Sequence, residues 1–202
     1  MLYAVHVLSR NPLHTGKSFT LELGGMQHLC CYSLLMNKYN NGQYIWLSQH
    51  AQRTIAADIF QRRSIEACGV LLGFIDELEN WQVEDAYPLP NTFNSPVYFE
   101  FDPEDLLQVE LTHPGKIVGV YHSHPTGFAR ASDTDRQNMQ RVNVEEQIPW
   151  AWLIICGPFD QTIPLVRLVD TKSIAYHHFH NDGLQQVALR LSDPSSATTS
   201  ET

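Results

Sequence analysis

Two hundred and two residues, 43% hydrophobic and only 17% charged, suffice for one domain with a sizeable core, and a disordered chain would show the reverse balance. Thirteen basic side chains against 22 acidic ones leave a net charge of −9 with no Lys/Arg-rich run, which argues against a nucleic-acid-binding protein. No apolar stretch approaches the ~18 residues of a membrane-spanning helix. The four cysteines (Cys30, Cys31, Cys68 and Cys156) form no C-x-x-C pair, so neither a disulfide framework nor a cysteine zinc knuckle is indicated, and a reducing cytoplasm is expected.

The chain divides into an irregular start, a periodic middle and a hairpin with a polar tail. Residues 1–42 scatter His6, Arg10, Pro12, His14 and Lys17 among apolar residues, unlike a secretory signal. Met36 stands just upstream of the periodic part. Residues 1–35 are either a genuine short N-terminal extension or a mis-assigned leader, with translation starting at Met36.

The middle part, 43–172, opens on Tyr44-Ile45-Trp46-Leu47, with Ser48 placed to cap a helix. Ala51, Ile55, Ile59 and Phe60 predict an amphipathic helix over 49–62. The apolar run Cys68–Ile75 predicts a buried strand, and Trp81–Tyr87 a second. Pro88–Pro96 reads as a loop and Tyr98–Phe101 as a short strand. Asp102-Pro103-Glu104-Asp105 is a helix start, with a capping Asp, Pro at the first helical position and acids at the positive end of the dipole. That helix should stop near His113-Pro114-Gly115. A strand over Lys116–His122, a helix over Ser132–Val144 and strands over Trp150–Cys156 and Thr162–Val169 follow. Interleaved helices and strands place the fold in the α/β (α+β) class, with a mixed central sheet flanked by helices. Residues 173–191 read as a β-hairpin turning at Asn181-Asp182-Gly183, and 192–202 as a disordered tail.

Chemistry concentrates in Tyr121–Asp135. His122 and His124 end a predicted strand, and strand alternation points both imidazoles to one face. There they can share a zinc ion at ~2.0–2.1 Å per nitrogen. Pro125 and Gly127 turn the chain, and Ser132 and Asp135 stand three apart at a helix start, on one side of it. Asp135 can supply a third ligand, which leaves a tetrahedral position for water, the arrangement of a catalytic zinc. Ser132-x-x-Asp135 equally spells a capping box. Glu66, beside the buried run Ala67–Gly73, is the candidate general base, because a carboxylate so placed tends towards a raised pKa. Ser132 can donate a hydrogen bond to an oxyanion. His113, His177, His178, His180 and Cys156 read as structural. His177, His178 and His180 suggest a polar edge strand, His113 a helix end, and Cys156 a small buried apolar residue.

H-S-H-P, then S-x-x-D with seven residues between His124 and Ser132, and E-A-C-G-x-L-L-G upstream, resembles the JAMM (MPN+) metalloprotease family, in its small prokaryotic branch. The resemblance covers roughly 43–172, including Asn91 and the helix start at Phe101-Asp102-Pro103. It implies a cytidine-deaminase-like fold and a zinc-dependent hydrolase that holds one zinc per chain through His122, His124 and Asp135. Glu66 would then be the general base, and Ser132 would steady the tetrahedral intermediate. The implied substrate is a protein, a ubiquitin-like β-grasp protein or its conjugate, cut after a C-terminal glycine. A narrower peptidase that trims a single residue from a sulfur-carrier protein is the variant of that reading. Two different classes compete with it: a RadC-like DNA-repair-associated protein, disfavoured by the charge, and a non-catalytic interaction module. Nothing in the residue pattern sets an oligomeric state.

Overall fold

The computed structural model describes residues 42–159 and 165–192. The first strand, β1 (Tyr44–Leu47), feeds helix α1 (Gln49–Gln61) through Ser48, whose hydroxyl accepts the Ala51 N–H at 3.0 Å as the expected cap. Strands β2 (Cys68–Ile75) and β3 (Trp81–Leu89) form an antiparallel pair. Helix α2 (Pro103–Thr112) starts where Asp102 accepts the Glu104 N–H at 2.9 Å, and ends at His113. Strand β4 (Ile117–His124), helix α3 (Asp133–Gln140), strand β5 (Ala151–Cys156) and helix α4 (Leu165–Lys172) follow, then β6 (Ser173–Phe179) and β7 (Gly183–Leu191).

The strands lie in the order β1-β3-β2-β4-β5-β6-β7, and β7 pairs with β1 to close the sheet into a barrel. The sheet is mixed: β1 runs parallel to β3 and β7, β4 parallel to β5, and the other pairs are antiparallel. The hairpin β6–β7 is part of this sheet, with β6 on β5 and β7 on β1. On one side of the sheet, Ala51, Ile55 and Ile59 of α1 and Leu168 of α4 join Leu47, Leu71, Val83 and Leu153 in one core cluster. On the other side, Met139 of α3 packs with Val120, Trp152, Ile154 and Tyr176.

Four expectations need correction. Tyr98–Phe101 is no strand. The Asn91 amide reaches Tyr98 O at 2.9 Å and Thr92 N–H reaches Glu100 O at 3.1 Å, so this segment is held as an irregular loop. Residues 165–169 belong to helix α4 rather than to a strand; Leu168 and Val169 are buried and α4 packs along α1. Short apolar runs do not separate the two states by periodicity. The helix after Ser132 keeps α geometry only to Gln140. Arg141–Glu145 winds as a wider π turn, closed by Glu146 N–H on Arg141 O at 2.9 Å. This turn carries the buried Asn143, whose amide donates to Ile148 O and Trp150 O and accepts from the Trp152 indole. Finally, His177 lies on no polar edge. It is buried, with Nδ1 3.0 Å from Trp150 O and its ring against Trp81 and Phe179.

Met36, Cys30, Cys31, residues 162–164 and residues 193–202 lie outside the described residues. Among those described, no helix is long and apolar enough to cross a membrane.

Two local features position β4. A bulge at Val118, where Leu71 faces Gly119 but Leu72 faces Ile117, resets the alternation of β4. From there on, Tyr121 and Ser123 face α1 while Val120, His122 and His124 face α3. Tyr121 is fully buried and its hydroxyl donates to Asp58 Oδ2 at 2.8 Å. Asp58 also accepts two hydrogen bonds from the Arg62 guanidinium, at 2.8 and 2.6 Å. Arg62 in turn donates to Leu89 O and Cys68 O. One polar cluster thus ties α1 to β2, β3 and β4. The Tyr121 ring lies over its cross-strand partner Gly69, where a Cβ would stand 2.6 Å from Cε1.

Candidate metal centre

Strand β4 ends on His122 and His124, and alternation sends both rings to the α3 side. The turn Pro125–Ala131 then returns the chain to the start of α3. Ser132 caps that helix: its Oγ accepts the Asp135 N–H at 3.1 Å, and its N–H donates to Asp135 Oδ2 at 2.7 Å. The Ser132 hydroxyl also donates to the same Oδ2 at 2.7 Å. The capping box does not compete with the third-ligand reading of Asp135, because the box is what fixes the carboxylate facing β4.

All five residues singled out in the sequence meet here. His122 Nε2 and His124 Nε2 are 3.1 Å apart. Asp135 places Oδ1 3.3 Å from His122 Nε2 and Oδ2 3.4 Å from His124 Nε2. Ligands at ~2.0–2.1 Å around a tetrahedral ion are separated by roughly 3.3 Å, so the three donors already stand at the spacing zinc requires. Among the described residues, His122, His124 and Asp135 are the one group of His, Cys, Asp and Glu side chains whose ligand atoms converge in this way. The tautomer fits as well. His124 Nδ1 is 2.7 Å from Phe128 O, which places a proton on Nδ1 and leaves the Nε2 lone pair towards the centre. His122 is fully buried, its ring stacked on Phe99 at 4.6 Å, and its Nδ1 has no partner among the described residues.

Glu66 lies just before β2, buried, with Oε1 3.9 Å from His124 Nε2. Burial pushes its carboxyl up to about 7; the nearby His124 opposes this and Asp135 reinforces it. Asp135 goes the other way. Burial disfavours its charge, but its contacts with His122 and His124 and the hydrogen bonds from Ser132 overrule that and hold it far below the usual carboxylate range. Burial lowers His122, whereas at His124 the contact with Asp135 and the Phe128 carbonyl outweigh burial and raise it. Two neighbouring carboxyls are thus driven apart, one raised and one lowered. A narrow cleft between Val97–Phe99 and Ser132–Asn138 opens onto Glu66 and Asp135.

Cys68 and Cys156 are buried free thiols, pushed by burial to about 12 and about 11, so neither is a thiolate donor. Sequence reasoning missed Phe99 and the Phe128 carbonyl. The first sat in a segment read as a strand, and the second acts through its backbone, which no side-chain pattern reveals.

Residues 48–169 match Prok-JAB, the prokaryotic homologues of the JAB domain. A desampylase of Pyrococcus furiosus is 33% identical over 112 residues, covering 54% of this chain and 71% of that protein. A desampylase of Haloferax volcanii is 36% identical over 92 residues, covering 44% of this chain and 61% of that protein. Among solved structures, a protein of Desulfitobacterium hafniense superposes with a TM-score of 0.56 at 25% identity, over 74% of this chain and 93% of its own. With a mixed sheet, a matching family segment and enzymes among its relatives, this chain belongs to the prokaryotic JAB-domain (JAMM/MPN) family and is a hydrolase of that family.

Proposed function

We propose that this protein is a zinc-dependent isopeptidase or peptidase that cuts after the C-terminal glycine of a ubiquitin-like or sulfur-carrier protein in the cytoplasm. The observation that carries the metal part is the convergence of His122, His124 and Asp135 at 3.1 to 3.4 Å, with Glu66 beside them. The two relatives named desampylase support a protein substrate.

In this reading one zinc per chain is held by His122 Nε2, His124 Nε2 and the Asp135 carboxylate. Bound there, zinc supplies the Lewis acidity that makes water a nucleophile near neutral pH. Glu66 takes the water's proton as the new C–O bond forms and returns it to the leaving nitrogen as the C–N bond breaks. A buried carboxyl, whose affinity for a proton burial raises, serves both directions. The Phe128 carbonyl and the Ser132 cap keep His124 and Asp135 from rotating away. Ser132 stands in the same cleft as Glu66 and turns its hydroxyl from Asp135 to the substrate oxygen.

Metal analysis of the purified chain tests the centre: about one zinc in the wild type and nearly none in His122→Ala. Cleavage of a panel of Gly-Gly-terminated fusions, read by product mass, separates deconjugation from trimming of a single residue. Zinc-free native protein that forms a stable complex with a partner would return the chain to the interaction-module reading. For Ser132→Ala, loss of the oxyanion donor predicts a kcat about 10²-fold lower at unchanged KM. Loss of the cap predicts about 1 kcal/mol of stability, read by denaturant unfolding. A stability loss with unchanged kcat would leave Ser132 as a cap alone.

A further inference from the structure

Between the two histidines stands Ser123, and it faces the opposite way. It is fully buried on the α1 side of β4, away from the ligand atoms. Its hydroxyl accepts the Ala67 N–H at 2.9 Å, and its own N–H donates to Ala67 O at 2.8 Å. Ala67 directly follows Glu66. The neighbouring backbone groups are also engaged: Glu66 N–H donates to Ser95 O at 2.8 Å, and Glu66 O accepts from Asn91 Nδ2 at 3.1 Å. Every polar backbone group of Glu66-Ala67 is therefore tied, two of the four by Ser123.

The place of this contact explains why a side chain is needed. The β2–β4 ladder ends at the pair Cys68–His122. Glu66 and Ala67 lie past that end, where one backbone bond, Ser123 N–H to Ala67 O, still joins the chain to β4. Ser123 extends the hold by one residue, using its hydroxyl as the acceptor that a further strand pair would have supplied. The same residue sits between His122 and His124, so any shift of Ala67 against β4 is a shift of Glu66 against the two imidazoles.

We propose that Ser123 is a positioning residue: through the Ala67 amide it sets the Glu66 carboxyl against the histidine pair. This rests on the reading of Glu66 as the proton carrier. Misplacement of a catalytic group by about 1 Å costs on the order of 10²-fold in rate. Ser123→Ala removes the acceptor and touches no proposed ligand. It is expected to keep about one zinc per chain and an unchanged KM, to lose about 10²-fold in kcat, and to speed amide hydrogen exchange at Ala67. Ser123→Cys fills the same space with a weak acceptor and should behave alike, which guards against a cavity effect. Ser123→Thr keeps the oxygen and should restore both kcat and Ala67 protection.

The control is Glu66→Gln. In that background Ser123→Ala should add no further loss of kcat while Ala67 exchange still accelerates. Full activity in Glu66→Gln alone would sink the base assignment whatever Ser123 does. With Glu66→Gln inactive, wild-type kcat in zinc-loaded Ser123→Ala would overturn the positioning role by itself. A joint fall of zinc content and kcat that Thr does not rescue would overturn it too, leaving Ser123 a purely structural residue.

Discussion

Glu66→Gln is expected to keep about one zinc per chain and to lose about 10³-fold in kcat. The amide is nearly the same size as the carboxyl, so it fills the same buried place 3.9 Å from His124. It neither accepts nor returns a proton, and general acid–base contributions run to roughly 10²–10⁴-fold. A second readout has its own sign. In the metal-free chain the Glu66 carboxyl is raised from 4.5 to about 7 by burial. A carboxyl raised on folding favours the folded state while both states are protonated and loses that contribution as pH rises. Stability of the metal-free wild type should therefore fall between about pH 4.5 and pH 7, by roughly 3 kcal/mol for a shift of this size. Glu66→Gln should remove that slope and be the more stable protein at pH 7. Urea unfolding of both proteins across that window, with chelator present, is the measurement. Identical slopes would mean that Glu66 is ionised in the folded chain, and full kcat would remove it from the chemistry.

Asp58→Ala is expected to cost about 3–5 kcal/mol. Asp58 is only 7% exposed and is the shared acceptor for Arg62 and Tyr121. Removing it strands a partly buried guanidinium and a fully buried phenol. Burial and the Asp58 charge together raise Tyr121 well above the ordinary tyrosine value, so the phenol stays neutral and needs its acceptor. Tyr121→Phe removes one donor and keeps the ion pair, so it should cost only about 1 kcal/mol. A denaturant midpoint that falls steeply in Asp58→Ala and slightly in Tyr121→Phe, with slopes unchanged, is the expected pattern. Equal small shifts would show that Arg62 is served well enough by Leu89 O and Cys68 O.

The centre was legible in the sequence because each of its parts obeys a local rule. Alternation pairs His122 with His124, and the first turn of a helix places Ser132 beside Asp135. Glu66 announced itself by standing at the edge of an apolar run. What escaped was either non-local or carried by the backbone. The Ser123–Ala67 contact joins residues 56 apart in sequence. The pairing of β1 with β7 joins Tyr44 to Ala188, and no hairpin signal encodes a parallel pair so distant. Residues 165–169 failed for a different reason, since their apolar density suits a strand as well as the buried side of a helix. Tyr98–Phe101 has strand composition but pairs with no strand among the described residues.

The barrel closure sets the order in which the chain becomes an enzyme. All five proposed active-site residues lie before Arg136, yet β1 keeps an open edge until β7 has been made. During synthesis the histidines, Asp135 and Glu66 emerge well ahead of the strand that seals the sheet they stand on. A ribosome-bound chain arrested before residue 183 should therefore expose the side of β1 that β7 covers, a site for holding factors or for a second nascent copy. With its closing contact among the longest in sequence, the domain should also refold slowly for its size.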